Sequence, residues 1–182
     1  MTALRRADRR AEVPSPRGGP GIGVAFVRAM QAVNSHDPAV MARALTALFH
    51  PGVLMHPRLP GASEGVEAVM ELFASLQRAF PDLHVRVDDL IEVGDRMVCR
   101  NTVTGTHRGE HLGVPPTGRP VRYTEIFIAR VAGGRIAEMW GVVDMLSQLR
   151  QLGVGPVQRA ARRRGGRPAT VPVDTCDAVN TN

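Results

Sequence analysis

The stretch Arg119-Pro-Val-Arg-Tyr123-Thr-Glu125-Ile-Phe127-Ile-Ala-Arg-Val-Ala132, then Gly133-Gly134, then Arg135-Ile-Ala-Glu138-Met139-Trp140-Gly141-Val-Val-Asp144 and Met145-Leu-Ser-Gln-Leu-Arg-Gln-Leu-Gly153 decides the fold. Two runs rich in β-branched and aromatic residues flank a Gly-Gly pair, which can take the positive φ values of a tight turn, so the segment predicts a β-hairpin. A short helix follows it. Along the first strand Tyr123, Glu125 and Phe127 share one face because successive side chains alternate. A carboxylate is thereby set between two aromatic rings, an unusual place for an acid.

Outward from this hairpin, the sequence before it supplies more strands and the helices to cover them. His84 to Val93 alternates as a strand, with Val85, Val87, Ile91 and Val93 expected on one face. Gly94-Asp95 turns the chain into a second strand from Arg96 to His107, rich in Val and Thr. Gly109 to Gly118 contains Pro115-Pro116 and reads as a loop, since proline has no ladder donor. Further upstream, Phe26, Val27, Met30 and Val33 form one helical stripe. Asp37-Pro38 starts a second helix as N-cap and first-turn proline, ending at Phe49-His50-Pro51. Val53 to Pro57 reads as a short strand, and a third helix spans about Gly65 to Phe80, with Val66, Val69, Met70, Phe73 and Leu76 inward. The order predicts an α+β fold: a curved antiparallel sheet shaped as a cone and covered by the N-terminal helices, its open end a natural pocket.

The chain has 182 residues, enough for one domain with its own core. It contains no lysine, and its formal charge of +6 is unevenly spread. Residues 21–156 hold as many arginines as acids, so the excess lies in the ends, at Arg5, Arg6, Arg9, Arg10 and Arg17 and at Arg159, Arg162, Arg163, Arg164 and Arg167. Residues 1–20 are expected to be a disordered leader, 21–156 the folded domain and 157–182 a disordered basic tail. Charge confined to such ends weighs against a nucleic-acid partner. Cys99 falls in a strand and Cys176 in the tail, no disulfide framework, which fits a reducing compartment. The start lacks an apolar run behind its arginines, and nothing reaches the length of a membrane span. A soluble, cytoplasmic protein with no membrane partner is expected. The histidines show no metal-ligand spacing, so no metal is expected.

Several motifs together resemble the SnoaL-like polyketide cyclase, or ester cyclase, family within the nuclear transport factor two-like superfamily. They are Phe49-His50-Pro51, Ala79-Phe80-Pro81-Asp82, Gly105-Thr106-His107-Arg108-Gly109-Glu110, Gly113-Val114-Pro115-Pro116-Thr117-Gly118-Arg119, Gly134-Arg135-Ile136, Glu138-Met139-Trp140, Asp144 and Gln151-Leu152-Gly153. The resemblance runs from about Phe26 to Pro156. It implies a cone-shaped α+β barrel, commonly a homodimer, and cofactor-free ring closure of an aromatic polyketide in secondary metabolism such as antibiotic biosynthesis. That reaction is an intramolecular aldol condensation, which asks for a carboxylate in a dry pocket and a donor for the developing oxyanion. In the family's cyclases an acid/base aspartate is expected directly after the Trp140 position, and a histidine at the Phe127 position. This sequence has Gly141 and Phe127 instead, so the family's polar pair is missing.

Glu125 is the candidate replacement, as a base desolvated by Tyr123 and Phe127. Its alternative is to be neutralised by Arg100 or Arg122. Asp144 is either catalytic or the N-cap of the last helix, and His56, ending a strand beside Pro57, is a third candidate for proton transfer. His107 either fastens the Pro-Pro loop or stands at the pocket rim. With Tyr123, Phe127, Met139, Trp140 and Gly141 it makes up the expected substrate-binding set, although strict alternation turns Trp140 away if Gly141 faces the cone. The sequence thus points to a cyclase-type enzyme acting on a hydrophobic polycyclic small molecule. A non-catalytic binding protein of the same fold and a cofactor-free hydroxylase are the alternatives.

Overall fold

A computed structural model describes residues 21–57 and 63–154. The expected leader and tail therefore lie outside the described residues. Three helices, α1 (Ile22–Asn34), α2 (Pro38–Leu48) and α3 (Gly65–Ala79), precede or interrupt a five-stranded sheet of β1 (Phe49–His56), β2 (His84–Val93), β3 (Arg96–Thr106), β4 (Pro120–Ala132) and β5 (Arg135–Val143). A last helix, α4 (Met145–Leu152), closes the domain. The sheet order is β1-β5-β4-β3-β2, with neighbours antiparallel except β1, which runs parallel to β5.

Local chemistry explains most element ends. The Asp37 carboxylate accepts from the Ala39 and Val40 amides at 2.8 and 3.0 Å, satisfying donors that the first turn of α2 leaves free. Gly133 and Gly134 take φ values of 58° and 75°, as a two-residue turn between β4 and β5 requires. The first strand starts earlier than expected: β1 begins at Phe49, directly where α2 stops, because the residue before Pro51 is extended already.

One strand departs from simple alternation. The β2–β3 register shifts between Val87 and Asp89, a bulge at Asp88. The extra residue inverts the strand's phase. Val85 and Val87 pack inward as expected, but Ile91 and Val93 are turned to the outer surface, 59% and 58% exposed, and Leu90 packs against the core instead. Asp88 itself accepts from the Thr102 hydroxyl at 2.6 Å and from Arg86 and Arg100 at 2.6 and 3.2 Å, so the bulge is held by its own polar partners.

The core lies between the inner face of the sheet and α1 to α3, where Phe26, Val33, Leu45, Leu48, Phe49, Val69 and Phe80 are almost wholly removed from water. Burial of such side chains is worth about 1.5–3 kcal/mol each, which fixes the helices against the sheet.

Candidate functional site

The inner faces of β3, β4 and β5 do not meet the helices everywhere. A cavity of about 60 Å³ remains, walled by hydrocarbon from Phe26, Met30, Met55, Phe73, Leu76 and Met139. Three polar residues reach it: Asn101 from β3, and Tyr123 and Glu125 from β4. Alternation along β4 sends Val121, Tyr123, Glu125, Phe127 and Ala129 inward, while Arg122, Ile126 and Ile128 are exposed on the outer face.

Glu125 is the acid this architecture isolates. Burial among these walls pushes its carboxyl up to about 7, and a hydrogen bond from the Asn101 side chain offsets part of that rise. Neither arginine expected as an alternative partner reaches it, for Arg122 is exposed on the outer face. Arg100 pairs with Asp88 and Asp89 on the other face, and none of the ion pairs among the described residues includes Glu125. The neighbouring Tyr123 phenol is also pushed up, by burial first and then by the Glu125 charge, so it stays a neutral O–H donor at any working pH.

Opposite Glu125 on β3 stands Asn101, a residue that the sequence reasoning passed over. It pairs in register with Glu125, is 1% exposed, and its carbonyl Oδ1 has no hydrogen-bond partner. Strand alternation through Cys99, Asn101 and Val103 would have placed it inward; its register against Glu125 is a long-range fact that no local pattern contains.

Gly141 and Phe127 are directly opposed in the β4–β5 register, and both face inward. A Cβ built on Gly141 would lie 2.5 and 2.7 Å from Phe127 Cε1 and Cδ1, so the aromatic ring occupies the volume that any side chain at 141 would need. The glycine permits the ring, and the ring replaces a polar pair by hydrocarbon. Met139 lines the cavity two residues away.

The remaining candidates lie elsewhere. His56 does not enter the cavity: β1 is in parallel register with β5, Met55 beside Met139 and His56 beside Trp140, and alternation gives the inner face to the methionines. On the outer face His56 stacks on Trp140 with ring centroids 5.3 Å apart, and its Nε2 lies 3.1 Å from Glu138 Oε1. Arg130 donates to the other carboxylate oxygen at 3.0 Å, and Arg96 lies 5.7 Å from the Trp140 ring centroid. Trp140 is thus an outer-face residue, as alternation with Gly141 required, and it does not line the cavity.

Asp144 caps α4, accepting from the Ser147 amide at 3.0 Å, and it is exposed. The cap accounts for an aspartate there without catalysis. His107 is fully buried and fastens the loop 107–119. The Thr117 amide donates to its Nδ1 at 3.2 Å, its own amide donates to Arg119 O at 2.9 Å, and its carbonyl accepts from Gly118 at 2.8 Å. Phe80 and His111 pack on its ring, and Asp82 accepts from the Thr106 amide and hydroxyl, both at 2.6 Å. The motifs around Phe80, Asp82 and His107 therefore fasten one end of the sheet and leave the cavity to β3, β4 and β5.

The comparisons with known proteins agree with this fold. The model of the SnoaL-like polyketide cyclase family matches residues 24–152. Among solved structures, TsrD from Streptomyces laurentii is 30% identical with a TM-score of 0.66, the match covering 72% of this chain and 94% of that one. IdmH from Streptomyces antibioticus, a proposed polyketide cyclase, is 33% identical with a TM-score of 0.61, over 73% of this chain and 99% of its own. AclR from Streptomyces galilaeus, a proposed hydroxylase, is 29% identical with a TM-score of 0.59, over 72% and 80%. No curated protein matches the sequence closely enough to name a relative.

Proposed function

We propose, since the chain belongs to the SnoaL-like polyketide cyclase family, that it is an acid/base enzyme of secondary metabolism whose substrate is a polyketide or similar hydrophobic polycyclic compound. The observation that carries this is Glu125: a carboxyl pushed up to about 7, reached from an apolar cavity and paired with no cation among the described residues. Near neutral pH such a group is split between its two forms, the condition in which it both takes and returns a proton.

The chemistry follows from the residues around it. Glu125 as carboxylate removes a proton from a carbon next to a substrate carbonyl, and the electron pair passes into the enolate. The neutral Tyr123 O–H, two residues along on the same face, donates to the enolate oxygen and stabilises it in a site poor in water. The enolate carbon then attacks a second carbonyl of the same molecule, closing a ring. Protonated Glu125 returns its proton to the new alkoxide, so the side chain ends as it began and the reaction needs no cofactor.

A cavity of about 60 Å³ takes a few waters. A multi-ring ligand enters only if Phe127 and the unbranched side chains of Met30, Met55 and Met139 swing aside. The Phe127 ring over Gly141 favours a second function, non-catalytic binding of such a compound.

One experiment separates the two. In D2O the wild-type protein should accelerate α-deuteration of 1-tetralone, followed by proton NMR, and Glu125→Gln should abolish the acceleration while leaving tetralone affinity within about threefold. Binding without acceleration in the wild type would establish a binding protein, and acceleration unchanged in Glu125→Gln would remove this residue as the base.

The same proposal makes the protein a cytoplasmic homodimer. Its support is the outer sheet face, where Leu54, Ile126, Ile128, Trp140 and Val142 expose an apolar patch of the kind that marks an interface. Light scattering should give twice the chain mass, and Ile128→Asp should give one chain mass.

A further inference from the structure

We infer that Asn101 is a ligand-positioning residue, and that the ligand presents a phenol or enol O–H to it, beside the carbon that faces Glu125. The inference rests on the cavity being the binding site, as proposed above. It adds the chemistry by which the site recognises its ligand.

A primary amide has two donor hydrogens and one acceptor oxygen. In this structure Asn101 is held by β3 on the inner face, 1% exposed, in register with Glu125. Its amide nitrogen side faces the Glu125 carboxyl and the Cys99 thiol, whose acidities it raises. The carbonyl oxygen is left buried with nothing to accept from. Buried amide oxygens are seldom left so, because losing water without a replacement partner is costly.

No side chain of the cavity bonds to that oxygen in this structure. Val85, Val103, Leu83 and Phe127 of the cavity wall carry no side-chain donor, and neither Tyr123 nor Glu125, its other polar residues, bonds to the Asn101 oxygen. A ligand that displaces water from this oxygen must therefore bring a donor of its own. A ketone or ether oxygen cannot serve, since it would set acceptor against acceptor. A hydroxyl on an apolar ring serves, and so does the enol form of a 1,3-dicarbonyl compound.

The consequence for chemistry is orientation. A flat ligand anchored by O–H to Asn101 Oδ1 loses most of its rotational freedom in a slot walled mainly by hydrocarbon. Because Asn101 and Glu125 are cross-strand neighbours, that anchoring brings a carbon near the hydroxyl towards the carboxylate. Such placement is what converts a binding cavity into a reactive one.

Calorimetric titration with 1-naphthol and with 1-methoxynaphthalene tests this. The two differ by the hydroxyl hydrogen, and wild type should bind the naphthol about tenfold more tightly, the worth of one good hydrogen bond. Asn101→Leu should bring the ratio to about one while the ether binds as before; Asn101→Val serves if the leucine variant does not fold. Asp144→Ala, outside the cavity, should keep the tenfold ratio. Equal affinities in wild type, a ratio that survives removal of Asn101, or no saturable binding of either probe would overturn the inference. A ratio that survives in Asn101→Leu leaves the base role of Glu125, read from tetralone deuteration, untouched.

Discussion

Replacing Gly141 by alanine probes the feature that most separates this site from the polar pair its family resemblance implies. The new Cβ would stand 2.5 and 2.7 Å from two atoms of the Phe127 ring, where ordinary carbon contacts are about 3.5–4.0 Å. The ring must retreat by about 1 Å from its place, and overpacking of that kind costs about 1–3 kcal/mol. Against it stands the gain of about 0.4–1 kcal/mol from a less flexible unfolded chain. The net expectation is a loss of about 1–2 kcal/mol in wild type. With Phe127→Ala in the background the obstacle is gone and the same change becomes neutral or mildly stabilising, so the two positions should couple by about 2 kcal/mol. Urea denaturation of the four proteins gives the cycle directly. Additive effects, agreeing within about 0.5 kcal/mol, would refute the claim that the Phe127 ring fills the space over Gly141.

Two further outcomes follow from the same structure. Folded Glu125 holds its proton up to about 7, while the unfolded chain releases it near 4.5. The native state thus binds more protons across that window, and wild-type stability falls as pH rises through it. Glu125→Gln lacks this loss, so between about pH 4 and pH 8 its stability relative to wild type should improve by about 3 kcal/mol, with parallel pH curves as the refuting result. Asp144→Ala should cost about 1 kcal/mol by loss of the α4 cap, measured by denaturation, and leave probe binding unchanged; lost binding at full stability would return Asp144 to the site.

Much of the fold was legible because it is written locally. The Gly133-Gly134 turn, the Asp37 cap and the alternation of Tyr123, Glu125 and Phe127 depend on residues a few positions apart, and each stands in the structure as its pattern required. What the pattern misassigned depends on pairing between distant segments. Ile91 and Val93 alternate as core residues, yet the bulge at Asp88, held by Thr102 and Arg100 of the neighbouring strand, turns them out. His56 looked like a pocket residue at a strand end, but which face it takes is set by the parallel register of β1 on β5. The site divides in the same way. Glu125 could be found from its aromatic neighbours in sequence, whereas Asn101 becomes visible only once β3 lies against β4, and the Phe127–Gly141 contact only once β4 lies against β5.

The central claim is that the fold keeps one carboxyl, that of Glu125, half in its protonated form near neutral pH by surrounding it with hydrocarbon and withholding a cation. Carbon-13 NMR of protein labelled at the glutamate carboxyls, with the Glu125 signal assigned by its absence in Glu125→Gln, measures this titration directly. A midpoint of about 7 is predicted; a midpoint near the ordinary 4.5 would contradict the account, because a carboxyl so acidic is solvated or paired and the cavity would then hold no base of the required strength.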